Sequence, residues 1–206
     1  MQLIACQHNI QWENREANFD AIRKLLSEYG IKPGALIVLP EMFSSGFSMN
    51  VARVAEATPS LTESFLAEIA QEYESWTLGG LVYQLADGKG SNELSVFDPS
   101  GQRIGHYQKN HCFSYTGESD HYESGEDVLL FDWQGFKVCP VICYDLRFPE
   151  LFRRSVKAST AVKHSLGWFA LSFLPDVDLA GIYLSIEGHH RELCQLGKSI
   201  KFSEEG

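Results

Sequence analysis

Val141-Ile142-Cys143-Tyr144-Asp145-Leu146-Arg147-Phe148-Pro149-Glu150 joins an apolar run to a helix start through a polar turn that carries a thiol. The run begins at Val138, and a short apolar stretch ending in a turn reads as a buried strand. Phe148-Pro149-Glu150 opens a helix, with Pro in the first turn, where its missing N–H costs nothing. A thiol between a strand exit and a helix start can feel the positive end of that helix, which favours thiolate over thiol. From these residues alone two readings stand side by side: a nucleophile, or a small apolar cysteine that ends a strand.

Upstream, strand-like and helix-like segments alternate. Residues 3–6 read as a strand and Asn14 as a helix cap. Ile22, Leu25, Leu26 and Tyr29 form one helix face that stops at Gly30. Residues 35–39 form a buried strand ending at Pro40-Glu41, and the serine-rich residues 42–49 read as a loop. Ser60 and Glu63 have capping-box spacing ahead of a face of Leu66, Ile69, Ala70 and Tyr73. Residues 76–83 read as a third strand, in which Gly79-Gly80 marks a bulge or close packing. A turn at Asp87-Gly88 precedes a hairpin of residues 93–97 and 102–108, whose own turn is Asp98-Pro99-Ser100-Gly101. Residues 110–127 read as a polar loop, and a second hairpin pairs 128–131 with 136–142 across Trp133-Gln134-Gly135. This order predicts one α/β layered domain with a mixed sheet.

The bulk composition narrows the function classes. The chain has 206 residues, enough for one sizeable domain, with 44% hydrophobic and 21% charged residues, as in ordinary globular proteins. A net charge of -10 with no Lys/Arg cluster argues against nucleic acid or an anionic membrane as partner. No apolar run reaches the roughly 20 residues of a membrane span, and the N-terminus reads as a strand rather than a leader. Five scattered cysteines, an odd number, favour reduced thiols and a cytoplasmic location. None forms a C-x-x-C, so no metal site is expected.

Glu41, Lys109 and Cys143 each end an apolar run at a strand exit, where layered α/β folds build sites. A carboxylate, an ammonium and a thiol suit acyl transfer at a carbon–nitrogen bond. A thiol of pKa about 8.5 needs a base, which a partly buried Glu supplies before returning the proton to a leaving amine. The oxyanion formed by attack needs a fixed cation or N–H donor. Each residue also has a plainer reading. Glu41 and Glu118 suit solvated acids, Lys109 an edge-strand charge, and Arg147 a partner for Asp145 or Glu150. His111 or His121 offers a Cys–His pair with Cys143 or Cys112, while Cys6, Cys139 and Cys194 read as packing residues.

Leu39-Pro40-Glu41-Met42-Phe43, Tyr107-Gln108-Lys109-Asn110-His111 and Cys143 to Glu150 together resemble the nitrilase superfamily of carbon–nitrogen hydrolases. Phe43-Ser44-Ser45-Gly46-Phe47-Ser48-Met49 and residues 118–125 carry the resemblance to its omega-amidase-like branch. The resemblance implies a four-layer αββα sandwich, with Glu41 as general base, Lys109 as oxyanion-stabilising lysine and Cys143 as nucleophile. It implies that Glu118 supports Lys109 and positions substrate, and that the Tyr144 N–H is an oxyanion donor. Arg147 is a candidate grip for a substrate carboxylate. The implied substrate is a small linear amide, with no cofactor and with homodimers or larger assemblies.

The motifs stop near residue 154, and residues 155–206 are expected to be an atypical tail of a single domain spanning 1–206. The motif-bearing strand and helix of the family's C-terminal third have no convincing counterpart there, so the sandwich is expected to be incomplete. A shifted reading frame would explain this. The alternative to an amidase is then an impaired relative that binds a partner or is vestigial.

Overall fold

The computed structural model describes residues 1–159 and the backbone of three further strands, Leu166–Leu171, Cys194–Leu196 and Ser199–Lys201. Strand β1 (Leu3–Cys6), helix α1 (Arg15–Ser27) and strand β2 (Leu36–Val38) form a unit whose strands pair in parallel. Asn14 caps α1 by accepting the Ala17 N–H, and Ile22 and Leu26 form its fully buried face. A short α2 (Val51–Val54) and α3 (Leu61–Glu72) lead to β3 (Trp76–Gln84), parallel to β2. Strands β4 (Gly90–Phe97) and β5 (Arg103–Gln108) extend the sheet antiparallel.

The stretch read as a loop holds α4 (Glu118–His121) and a two-residue β6 (Tyr122–Glu123) that pairs with β4. Strands β7 (Phe131–Trp133) and β8 (Phe136–Ile142) form the second hairpin. Its turn is Gln134-Gly135, with φ 46° and 86°, so β7 runs on through Trp133 and starts later than residue 128. Helix α5 (Pro149–Ser159) leads towards β9 (Leu166–Leu171), parallel to β8. Strands β10 (Cys194–Leu196) and β11 (Ser199–Lys201) pair with each other, and β11 pairs with β1. The larger sheet is ordered β10-β11-β1-β2-β3-β4-β5, with β6 beside β4, and the smaller β7-β8-β9.

Period-two alternation sorts the core into layers. Leu3, Ala5, Leu36, Val38, Leu94 and Val96 cluster with Phe131 and Val138 of the smaller sheet, and α5 joins the same cluster through Leu151. Ile4, Cys6, Ile37 and Leu39 point the other way, onto Ile22 and Leu26 of α1 and Leu66 and Ile69 of α3. Strands covered on both faces need continuous apolar runs, which explains the unbroken Leu36-Ile37-Val38-Leu39. Helices, sheet, sheet and helix thus form the αββα sandwich. Each fully buried Leu or Ile contributes roughly 1.5–3 kcal/mol.

Two local readings need correction. Ser60 accepts the Glu63 N–H at 3.0 Å, but the Glu63 carboxylate turns to Ser95 and Arg103, so only half of the capping box forms. Gly79-Gly80 makes no bulge, because β3–β4 register runs through it without a break; close packing is its role. Residues 160–165, 172–193, 197–198 and 202–206 lie outside the described residues, and with them most of the tail on which the frame-shift reading rests.

Candidate active site

Glu41 sits in a tight turn just past β2. The turn lies on β3: Leu39 donates its N–H to the Leu78 carbonyl at 2.8 Å, and Gly80 donates to the Pro40 carbonyl at 3.1 Å. Met42 adopts a left-handed φ of 45°. A side chain at position 80 would strike this turn, since a Cβ there would lie 2.5 Å from the Met42 nitrogen. Glycine is therefore what lets Glu41 approach the sheet. Lys109 follows β5 and is held by backbone bonds to the Asn92 carbonyl (2.9 Å) and from the Gly125 N–H (2.8 Å).

The three ionisable groups read from the motifs as Glu41, Lys109 and Glu118 meet in the interior, each at most 1% exposed. Lys109 Nζ donates to Glu41 Oε1 at 2.9 Å and to Glu118 Oε2 at 2.9 Å. The plainer readings of these residues as solvated charges are thereby overturned: a charge this deep survives only when paired. Phe113 donates its N–H to Glu118 Oε2 at 2.5 Å, and the Phe47 ring lies 5.2 Å from Lys109 Nζ. Asn92, on β4, donates from Nδ2 to Glu41 Oε1 at 2.8 Å and to Glu118 Oε1 at 2.9 Å.

Burial raises the Glu41 carboxyl above the ordinary carboxylate range; Lys109 opposes this and the Glu118 charge adds to it. For Lys109, burial works against the ammonium, but Glu41 and Glu118 outweigh it and raise its pKa, keeping it protonated. The result is a buried cation flanked by two acids, one of which has gained basicity.

Cys143 follows β8, half-buried, with a left-handed φ of 45°. It opens a 3₁₀ turn, Cys143–Arg147, and α5 starts only at Pro149, so the turn separates the thiol from the α-helix N-terminus. Asp145, fully buried, holds this turn. Its carboxylate accepts from the Tyr107 hydroxyl at 2.7 Å, the Ile142 N–H at 3.1 Å and the His111 N–H at 2.9 Å, and pairs with His111 Nδ1 at 2.8 Å. Tyr107 precedes Lys109 by two residues and His111 follows it by two, so Asp145 ties the Cys143 turn to the segment that carries the lysine. The Phe113 ring, whose own backbone grips Glu118, lies 4.9 Å from the Tyr144 ring.

The remaining candidates divide. Arg147 is exposed; its expected partners are engaged elsewhere, Asp145 inward and Glu150 with Arg153 at 3.2 Å. His111 is committed through Nδ1 to Asp145 and stacks on Phe148 at 3.6 Å, while His121 is exposed at the end of α4. Burial pushes the Cys6 and Cys139 thiols up to about 12, consistent with packing roles; the Cys194 side chain lies outside the described residues. Among the described residues no group of three or more His, Cys, Asp and Glu is arranged to hold a metal ion, and no helix is long and apolar enough to cross a membrane.

Two site residues escape the motif reading. Asn92 had a signal: alternation along β4 puts it on the same inward face as Leu94 and Val96, an odd place for an amide. Asp145 had only its position in a turn, where an acid is common.

The carbon-nitrogen hydrolase family model matches residues 3–188, running past the last motif near residue 154. The omega-amidase YafV of Escherichia coli is 32% identical over 149 residues, covering 72% of this chain and 56% of its own length. The 2-oxoglutaramate amidase of Bacillus subtilis is 28% identical over 139 residues, covering 66% of this chain and 54% of its own length. The chain thus spans little more than half the length of these relatives. The CN-hydrolase superfamily protein XC1258 of Xanthomonas campestris superposes with a TM-score of 0.69 at 22% identity, covering 83% of this chain and 76% of that one. With the family model spanning most of the sequence and the same sandwich recurring in solved relatives, the chain belongs to the carbon-nitrogen hydrolase family.

Proposed function

We propose that the protein hydrolyses the carbon–nitrogen bond of a small linear amide, an omega-amide of a dicarboxylic acid, through a thioester on Cys143. The observation that carries this reading is the buried Glu41–Lys109–Glu118 cluster, with Nζ 2.9 Å from a carboxylate on each side. Glu41 takes the proton from the Cys143 thiol, and the thiolate attacks the amide carbon. The oxyanion is met by the Lys109 ammonium and the Tyr144 N–H; losing one such donor typically costs on the order of 10²–10³ in rate. Glu41 returns the proton to the nitrogen as the carbon–nitrogen bond breaks and ammonia leaves. It then deprotonates the water that cleaves the thioester, and the proton goes back to sulfur as the acid departs.

Glu118 supports Lys109 by accepting from its ammonium at 2.9 Å. Arg147, exposed at the end of the Cys143 turn, is the grip for the substrate's distal carboxylate. The names of the relatives support the substrate class, since they include an omega-amidase and a 2-oxoglutaramate amidase. The reading places the protein in the cytoplasm, where its thiols stay reduced, as a single domain over 1–206 that assembles into homodimers or larger homo-oligomers.

Ammonia release from 2-oxoglutaramate and related omega-amides, with intact-mass detection of an acyl adduct on Cys143, tests it. Ammonia release and an adduct that both vanish in Cys143→Ala are expected. A Cys143→Ala variant that still releases ammonia would overturn the mechanism, and an inert wild-type chain would favour the impaired relative.

A further inference from the structure

From the geometry at β4, we infer that Asn92 is a positioning residue that bridges the Glu41 and Glu118 carboxyl groups and so keeps Glu41 available as a proton acceptor. This rests on the amidase reading for its consequence, but not for its geometry. Asn92 is fully buried on a face otherwise occupied by Leu94 and Val96. Its Nδ2 gives one hydrogen to Glu41 Oε1 at 2.8 Å and the other to Glu118 Oε1 at 2.9 Å. With Nδ2 turned to the two acids, one amide nitrogen supplies a hydrogen to each, which the amide oxygen, an acceptor only, could not do. The opposite atom, Oδ1, is buried and accepts no hydrogen bond from the described residues. An unsatisfied buried oxygen is unfavourable, and an apolar residue of the same shape would avoid it. Packing alone therefore does not account for an amide at this position.

Two carboxylates share one ammonium here, and like charges in a buried site drive one of them to take up a proton. A neutral donor placed between them favours the ionised form of both without adding positive charge. A second cation at position 92 would over-neutralise Glu41 and weaken it as a base. An amide with two hydrogens on one nitrogen meets both requirements, and a hydroxyl, with one hydrogen, reaches a single acid.

The test compares wild type, Asn92→Ala and the isosteric Asn92→Leu by infrared titration of buried carboxyl groups, using the full chain. The band assigned to protonated Glu41 is the one that Glu41→Gln removes. Removing the donors is expected to make this band persist to a pH higher by about one unit, the size of a charge-assisted hydrogen bond expressed as a pKa change. The acid limb of the amide-hydrolysis profile is expected to move with it, and kcat to fall more than KM rises. An unmoved band in the folded variants, or an activity loss equal at every pH, would overturn the inference. Failure of the amidase reading looks different: wild type releases no ammonia, and the infrared arm still decides the role of Asn92.

Discussion

Replacing Gly80 with Ala tests how closely Glu41 is placed. A Cβ at Gly80 would lie 2.5 Å from the Met42 nitrogen, 2.7 Å from the Glu41 Cα and 3.0 Å from the Glu41 carbonyl carbon. These are backbone atoms, so no rotamer change relieves the clash. Restoring an ordinary separation of about 3.5 Å moves the 41–42 backbone by roughly 1 Å. Glu41 Oε1 now lies 2.9 Å from Lys109 Nζ and 2.8 Å from Asn92 Nδ2, so a shift of that size takes it out of hydrogen-bonding range. A misplacement of about 1 Å can cost on the order of a hundredfold in kcat/KM, about 2.7 kcal/mol of transition-state stabilisation. Overpacking should also cost about 1–3 kcal/mol of stability, or roughly 2–10 °C in Tm for a chain of this size.

Gly79→Ala is the control. Its Cβ would meet side-chain atoms, the Phe43 ring at 2.8 Å and Leu66 Cδ2 at 3.1 Å, and no backbone of the Glu41 turn within its nearest contacts. It should lower Tm to a similar degree and keep most of the activity. Steady-state ammonia release at fixed pH, with melting curves for both variants, makes the comparison. Equal activity losses in the two variants, or a Gly80→Ala enzyme within threefold of wild type, would refute the placement argument.

The other expectations concern charge and the Cys143 turn. Because burial raises the Glu41 pKa, hydrolysis should fall with decreasing pH already above the ordinary carboxylate range; a pH–rate profile checks this. The same shift sets a stability sign. A folded-state pKa above the unfolded value stabilises most below the unfolded pKa, and that contribution is lost as pH rises through the folded one. Glu41→Gln should therefore gain Tm relative to wild type as pH rises from about 4.3, measured by melting across pH. Asp145→Asn removes charge from a buried acceptor of four contacts and should lower stability by about 1.5–3 kcal/mol while slowing alkylation of Cys143, followed by melting and peptide mass mapping. Cys143→Gly should melt a few degrees above Cys143→Ala, because the φ of 45° costs a residue with a Cβ roughly 1 kcal/mol.

By itself the sequence determined the strand-exit positions of Glu41, Lys109 and Cys143, the helix start at Pro149 and the cap at Asn14. These depend on short-range signals: apolar runs that end in turns, and side chains that bond within three residues of themselves. The unbroken apolar run at residues 35–39 also announced a buried strand. What only the tertiary structure decided is which polar residues face each other. Asn92 meets Glu41 across 51 residues of chain, and Lys109 meets it across 68. Asp145 reaches Tyr107 across 38, and no local pattern encodes such pairings. A strand's period assigns a residue to a face but not to a partner, and Glu63 shows the same limit in reverse. Its spacing pointed to Ser60, yet once β4 and β5 packed beside α3, Ser95 and Arg103 offered its carboxylate stronger bonds than its own helix did.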